Sequence, residues 1–353
     1  MKIMKKLQFA SDYQEGAHPN IINRLVQTNM DQTPGYGTDA ICASARKRIQ
    51  EACQCDASVY FLSGGTQTNA TIIGAILSSY QGVIAPTSGH VSVHEAGAIE
   101  FGGHKVLPIP STLGKITAQQ IEQYMQDFEH DLNHEHMVMP GMVYLSQPTE
   151  YGTLYSKAEL SAIYSVCKKY SMPLYIDGAR LAYALASQQN DISLPELAQL
   201  CDIFYIGGTK CGALIGEAVV MPNPHLIPHF FTIMKQNGAL LAKGRLLGIQ
   251  FDELFKDNLY MHIGDTAIQY AQKITQTLKE NGYPLYLETV TNQIFFYVNQ
   301  PLLDRLSENV DLSFWEKADE THSIVRIATS WATQAKDVDA LCKLLKEAKQ
   351  NLM

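Results

Sequence analysis

No run in this chain approaches the roughly 18 consecutive apolar residues that a membrane-spanning helix needs. The opening, MKIMKKLQFASDYQE, begins with the basic residues of an export signal, but no apolar core follows them. Neither a membrane partner nor secretion is expected. Basic clusters are scarce as well. Lys and Arg number 27 against 35 Asp and Glu, giving a formal net charge of −8. The densest basic spot, Arg46-Lys47-Arg48, reads as a helix face, so nucleic acid is not an expected partner. The 7 cysteines, an odd number at irregular spacing, fit reduced thiols in a cytoplasmic protein better than a disulfide framework. Cys53 and Cys55, a lone C-x-C in a helical pattern, read as structural.

Metal-binding spacings are also missing. His90 and His94 with Glu95 do not form H-E-x-x-H, and the histidines of HDLNHEH (130–136) have no nearby cysteine, which makes that tract a solvated loop. No metal is expected. There are no internal repeats and no low-complexity linker.

What is present is an alternation of short apolar runs with helical patterns. Strands are expected at SVYFL (58–62), GVIAP (82–86), HKVLPIP (104–110), MVYLSQ (142–147), Leu174 to Ile176, Ile203 to Ile206 and EAVVMP (217–222). Helices are expected from Asn20 to Asn29, through Ile41 to Ala52, along QTNATIIGAILSSY, from Leu160 to Tyr170, from about Leu226 to Phe255 and from about Tyr260 to Lys279. The remainder, YPLYLE, NQIFFYV, DLSFW and SIVRIATSW, reads as short strands, and an amphipathic helix from about Lys336 to Asn351 closes the chain. This is an α/β pattern. It predicts an N-terminal arm (1–15), a large doubly wound, mostly parallel sheet domain (16–250) and a smaller C-terminal α/β domain (251–353).

The stretch from Met172 to Gly216 organises the rest. Asp177 lies just past one apolar strand and Lys210 just past the next, and ligands of open α/β sheets collect beyond the carboxyl ends of the strands. A lysine that forms a Schiff base, with an acid paired to a pyridinium nitrogen, is the chemistry of pyridoxal 5′-phosphate (PLP). Asp177 could equally cap the helix that follows, and Lys210 could snorkel from its strand. However, Lys210 sits among Gly, Cys and apolar residues, where an unpaired ammonium is costly. Strand 58–62, the turn Ser63-Gly64-Gly65-Thr66 and the following helix form an arrangement that offers free N–H groups to a phosphate. That turn is neither a P-loop nor G-x-G-x-x-G, which disfavours nucleotides.

With these residues in view, the chain resembles the L-threonine aldolases and, more broadly, the aromatic β-eliminating lyases among the fold-type I PLP enzymes. The resemblance rests on Ser11-Asp12, Tyr36-Gly37, SGGTQTN (63–69), His90 with HEAGA (94–98), DGAR (177–180), GGTK (207–210) and Arg326 before TSW. It implies that Lys210 carries the cofactor, Asp177 pairs with its ring nitrogen, Gly64, Gly65 and Thr66 cradle its phosphate, and His90 stacks on the ring and acts in proton transfer. It further implies that Ser11, Arg180 and Arg326 hold the carboxylate of a small amino-acid substrate. Tyr36 would line the pocket from a neighbouring subunit of a homodimer or homotetramer. Three positions depart from the family pattern. Two glycines precede Thr66 instead of one, Lys235 stands where an arginine is expected, and Glu150 stands where the aldolases place a histidine. The implied reaction is Cα–Cβ cleavage of an L-3-hydroxy-α-amino acid, with His90 or Glu150 as base. The rival readings are a lyase that releases pyruvate and ammonia by β-elimination, and a PLP-fold protein without turnover.

Overall fold

The computed structural model describes residues 6–350. Its strands, in chain order, are β1 (Leu7–Gln8), β2 (Ser58–Leu62), β3 (Gln81–Pro86), β4 (Lys105–Ile109), β5 (Met139–Ser146), β6 (Leu174–Asp177), β7 (Ile203–Gly207), β8 (Glu217–Met221), β9 (Gln293–Asn299), β10 (Val310–Asp311), β11 (Ser313–Lys317) and β12 (His322–Ala328). Seven of them make one sheet in the order β2-β8-β7-β6-β5-β3-β4. The strands from β3 to β7 pair in parallel, and β8 runs antiparallel to both β7 and β2. This is the mostly parallel sheet of the expected fold.

Buried on both faces, these strands read as near-continuous apolar runs. Alternate residues feed two cores. Ile84, Val143, Ile176, Phe204 and Val220 enter one, while Val83, Met142, Tyr144, Tyr175, Tyr205 and Val219 enter the other. Each fully buried aliphatic or aromatic side chain contributes about 1.5–3 kcal/mol relative to exposure. Three tyrosines in an apolar core need hydroxyl partners, and those partners turn out to define the site.

A second, antiparallel sheet, β11-β12-β9, carries the C-terminal part of the chain. It packs with helices Asp265–Glu280, Gln300–Ser307 and Ala335–Gln350 around Ile294, Phe296, Val325 and Leu341. The N-terminal arm belongs here too: β1 pairs in parallel with β10, and Phe9 is buried in this smaller core. The boundary expected at 250/251 would cut helix Arg245–Leu254, whose Leu247, Phe251 and Leu254 lie in the larger core. Along helix Asp265–Glu280, Ala267 and Ile268 face the large core, whereas Ala271, Ile274 and Leu278 face the small one. We therefore place the division between the two units within that helix.

Other expectations shift. The pattern from Leu226 to Phe255 resolves into two helices, Phe230–Gln236 and Arg245–Leu254, with Gly238 at φ 65° between them. YPLYLE forms only a single bridge, Leu285 to Phe296, instead of a strand. Helix Ala118–His130, opened by a Thr117/Gln120 capping box, has no counterpart among the expected helices. The expected helix end at Asn351 lies outside the described residues.

Candidate active site

The carboxyl ends of the strands converge on a cavity of about 360 Å³, within the range of small-molecule sites. β2 delivers Gly64, Gly65 and Thr66, the segment after β3 delivers His90, and that after β5 delivers Glu150. β6 supplies Asp177 and Arg180, β7 leads to Lys210, and the antiparallel β8 begins at the same edge with Glu217. The turns after β6 and β7 touch. A Cβ at Gly178 would run into the carbonyl of Tyr205, and one at Gly207 into that of Ala179. Glycine at both positions is what lets the Asp177 and Lys210 turns lie side by side.

Asp177 is 4 % exposed. Its Oδ1 accepts from the Tyr205 hydroxyl (2.5 Å) and the Ala179 N–H (3.0 Å), and its Oδ2 from the Tyr144 hydroxyl (2.7 Å) and Asn69 Nδ2 (3.1 Å). Burial and then the charge of Asp177 push both phenols well above their ordinary value, so both stay protonated donors. Helix Leu181–Leu185 takes Arg180, not Asp177, at its N-cap, without a side-chain bond. The capping alternative for Asp177 is thereby set aside.

Asn69 links Asp177 to a second buried carboxylate. Its Nδ2 also donates to Glu95 Oε1 (2.7 Å), its Oδ1 accepts from Tyr175 (2.6 Å), and Glu95 Oε1 lies 2.8 Å from His90 Nδ1. The buried Glu95 thus fixes one ring nitrogen of His90 and leaves the other for the cavity.

Burial, followed by the charge of Arg180, pulls the Lys210 ammonium below its ordinary range, against the opposing pull of Asp12, Asp177 and Glu217. Its Nζ lies 5.8 Å from the ring centre of Tyr13. Snorkelling is set aside with it: Lys210 lines an interior cavity.

The arginines divide differently from expectation. Arg180 donates from Nε (2.6 Å) and Nη2 (3.0 Å) to Asp12, which also accepts from Asn292 (2.9 Å). Burial works against the Asp12 carboxylate, but Arg180, Lys210 and Asn292 together outweigh it and hold the group well below the usual range. One face of the Arg180 fork is therefore already occupied by a carboxylate of the chain itself. Arg326 donates to Gln293 Oε1 (3.0 Å) and the Ala10 carbonyl (2.9 Å), lies over Trp315, and keeps a buried Nε without a partner. Burial and the neighbouring Arg180 lower its pKa to about 10.

Glu150 is buried at the cavity wall. Its Oε1 accepts from the Ser146 hydroxyl (2.6 Å) and the His90 N–H (2.9 Å), while Oε2 has no partner. Burial raises the carboxyl above its ordinary range, and the Ser146 bond pulls the other way.

Four expected site residues lie outside the cavity lining. Arg326 and Ser11 are adjacent to it through the arm. Tyr36 and Lys235 are remote: Tyr36, at φ 58° in a turn bonded to the Ala242 carbonyl, is 41 % exposed and has the Lys235 Nζ 4.2 Å above its ring. Asn69, Glu95, Tyr13, Tyr144, Tyr205 and Glu217 join the site unannounced. Asn69 and Glu95 stood within the SGGTQTN and HEAGA stretches already singled out. Tyr144 and Tyr205 have the pattern of ordinary strand aromatics, and Tyr13 lies in the arm.

These residues fit PLP. Helix Gly65–Ile76 starts with no side-chain cap, and Gly64 has open space where a Cβ would stand, which suits a phosphate. Asp177 suits a protonated ring nitrogen and Lys210 the aldehyde carbon. Fold and site together define a fold-type I PLP enzyme, and PLP is its cofactor. The chain belongs to the beta-eliminating lyase family, whose pattern it matches over residues 8–301. It is 31 % identical over 304 residues to the low specificity L-threonine aldolase of Pseudomonas aeruginosa, covering 85 % of this chain and 86 % of that protein. A threonine aldolase structure from Leishmania major superimposes with a TM-score of 0.93 at 40 % identity, covering 97 % of this chain and 99 % of the other. Serine palmitoyltransferase from Sphingomonas wittichii shares the fold alone, with a TM-score of 0.74 at 12 % identity, over 98 % of this chain and 88 % of that one.

Proposed function

We propose that the protein is a threonine aldolase-type carbon–carbon lyase. Its reaction would cleave the Cα–Cβ bond of an L-3-hydroxy-α-amino acid, L-threonine or L-allo-threonine, into glycine and acetaldehyde. One observation carries the reading: a half-satisfied buried carboxyl, Glu150, shares a cavity with Lys210 and Asp177.

When bound, PLP supplies an electron sink for the bond that breaks. The chain supplies everything else. Gly64, Gly65 and Thr66 would hold the phosphate, Asp177 the ring nitrogen and His90 the ring face. Lys210, its proton loosened by burial, offers the amine. Arg326 would receive the substrate carboxylate on its unpartnered Nε, with Ser11 beside it and Arg180 held in place by Asp12. A charge-assisted bond from a guanidinium held in place by Gln293 and Ala10 would orient the substrate. Glu150, with Oε1 anchored, would use its unpartnered Oε2 to accept the β-hydroxyl proton, and the raised carboxyl is a better base than an ordinary glutamate. His90, oriented by Glu95, is the second proton-transfer group. Tyr36 and Lys235, paired on the surface, would complete the pocket of a neighbouring copy in a homodimer or homotetramer working in the cytoplasm.

The test is to incubate the purified protein with L-threonine and with L-allo-threonine and to measure glycine and acetaldehyde. Pyruvate and ammonia in their place would replace the aldolase reading with β-elimination.

A further inference from the structure

Glu217 has no part in the roles above. It is 4 % exposed and lies opposite Gly207 in the β7–β8 register. Its Oε2 accepts from the Gly208 N–H (2.9 Å) and its Oε1 from the Thr209 hydroxyl (2.8 Å), the two residues immediately before Lys210. Thr209 Oγ in turn accepts from the Gly216 N–H (3.2 Å), and the Gly216 carbonyl accepts from Gly208 (3.1 Å) and Thr209 (3.2 Å). The turn that carries the lysine is thus tied to β8 from both sides. A carboxylate binding two donors from a turn is an expensive thing to bury when an apolar residue or a serine would fit a strand start. Its burial calls for a charge nearby, and the cavity provides Lys210.

We propose that Glu217 is a positioning residue for Lys210, clasping the Gly208–Thr209 turn and, from the wall of the same cavity, adding to the negative charge that holds the lysine as an ammonium. The groups facing the pair are Asp177 from β6, Asp12 from the arm, and Arg180 from the turn after β6. Asp12 is paired with Arg180, and Asp177 and Glu217 both favour the charged lysine, Asp177 the more strongly; Glu217 is the one of the two that also holds the lysine's own turn. Burial raises the Glu217 carboxyl to about 7, with Thr209, Gly208 and Lys210 opposing. Ionised Glu217 stabilises the charged lysine, so its loss lowers the pH at which Lys210 becomes a neutral amine.

The inference rests on the cofactor site and not on the substrate, so its test is cofactor uptake by apoprotein. The rate of PLP binding, followed by absorbance, is measured against pH for wild type, E217Q and T209V. E217Q is expected to shift the rising limb to lower pH, taking up PLP on the order of three- to tenfold faster near pH 8. The gain should fade below about pH 7, where Glu217 is itself protonated. T209V, which loses a clasp bond but keeps the charge, should leave the limb in place. Superimposed profiles for E217Q and wild type overturn the proposal, and no uptake by wild type overturns the cofactor reading with it. If E217Q fails to fold, E217S, with room for water in place of the carboxylate, is read against the same two outcomes.

Discussion

Asp177→Asn offers the sharpest test of the site as a physical object. Asp177 is an acceptor on all four of its contacts, from Tyr205, Tyr144, Asn69 and the Ala179 N–H. Asparagine keeps one acceptor oxygen and turns the other into a donor facing two donors. A tyrosine hydroxyl can rotate to accept. Asn69 cannot turn its amide without breaking its bonds to Glu95 and Tyr175. At about 1.5–3 kcal/mol for each hydrogen bond to a charged group, with one of the two recovered by rotation, the variant should lose about 1.5–3 kcal/mol. Urea unfolding of the apoprotein reads this directly, with no cofactor present. A residue that merely capped a helix would show almost no change, because Asn and Asp cap about equally well. The loaded variant should also lose most turnover, since a neutral amide does not stabilise a protonated ring nitrogen. Apoprotein within about 0.5 kcal/mol of wild type would refute the four-donor account.

Borohydride reduction of the yellow protein should label Lys210, and Lys210→Ala should neither hold PLP firmly nor turn over; peptide mapping that finds another lysine contradicts this. Glu150→Gln should cut aldehyde release by about 10²–10⁴ with PLP absorbance unchanged, and Glu150→His should keep or raise activity on L-threonine. In wild type, turnover should fall with decreasing pH as the raised Glu150 carboxyl becomes protonated, at a higher pH than an ordinary glutamate would give; a profile flat through that range removes Glu150 from the chemistry. Asp12→Asn strands the buried Arg180 and should cost about 3–5 kcal/mol in chemical denaturation. The folded Asp12 carboxyl lies below its ordinary 3.8, so its stabilisation is present above that pH and is lost as pH falls through and below it. Stability measured between pH 5 and pH 2 should accordingly fall less steeply in the variant than in wild type.

Much of this was legible in the residues. SVYFL coincides with β2 to the residue, and the Asp177 and Lys210 turns meet where consecutive parallel strands put them. Hydrophobic runs flanked by glycine fix such strands whatever their partners. Pairing direction is another matter: EAVVM looks the same as a parallel or antiparallel strand, so β8 gave no hint that Glu217 would start at the catalytic edge. Helix Ala118–His130 carried a readable T-x-x-Q capping box, which the surrounding polar residues obscured. The Asn69–Glu95–His90 chain joins segments up to 26 residues apart through side-chain bonds that no periodicity encodes. Tyr144, Tyr175 and Tyr205 satisfy the apolar strand pattern, which carries no information about where their hydroxyls bond. Arg180 was placed in the site, but its commitment to Asp12, 168 residues away, depends on the arm's path across the molecule.

That path bears on how the protein is made. Gln8 and Asp311, bonded across β1 and β10, are 303 positions apart, and Asp12 meets Asn292 across 280. A chain emerging from its N-terminus first at roughly 5–20 residues per second therefore has its lysine turn and sheet assembled well before the arm has anything to hold. Until β9 to β12 exist, Arg180 lacks the anchored carboxylate of Asp12, and Tyr13 has no anchor beside the cavity. Loop closure over such a separation is slow. The last event in maturation is thus expected to be the arm's return, and a nascent chain released short of β12 would carry a folded sheet and the PLP-binding turns but an unfinished wall.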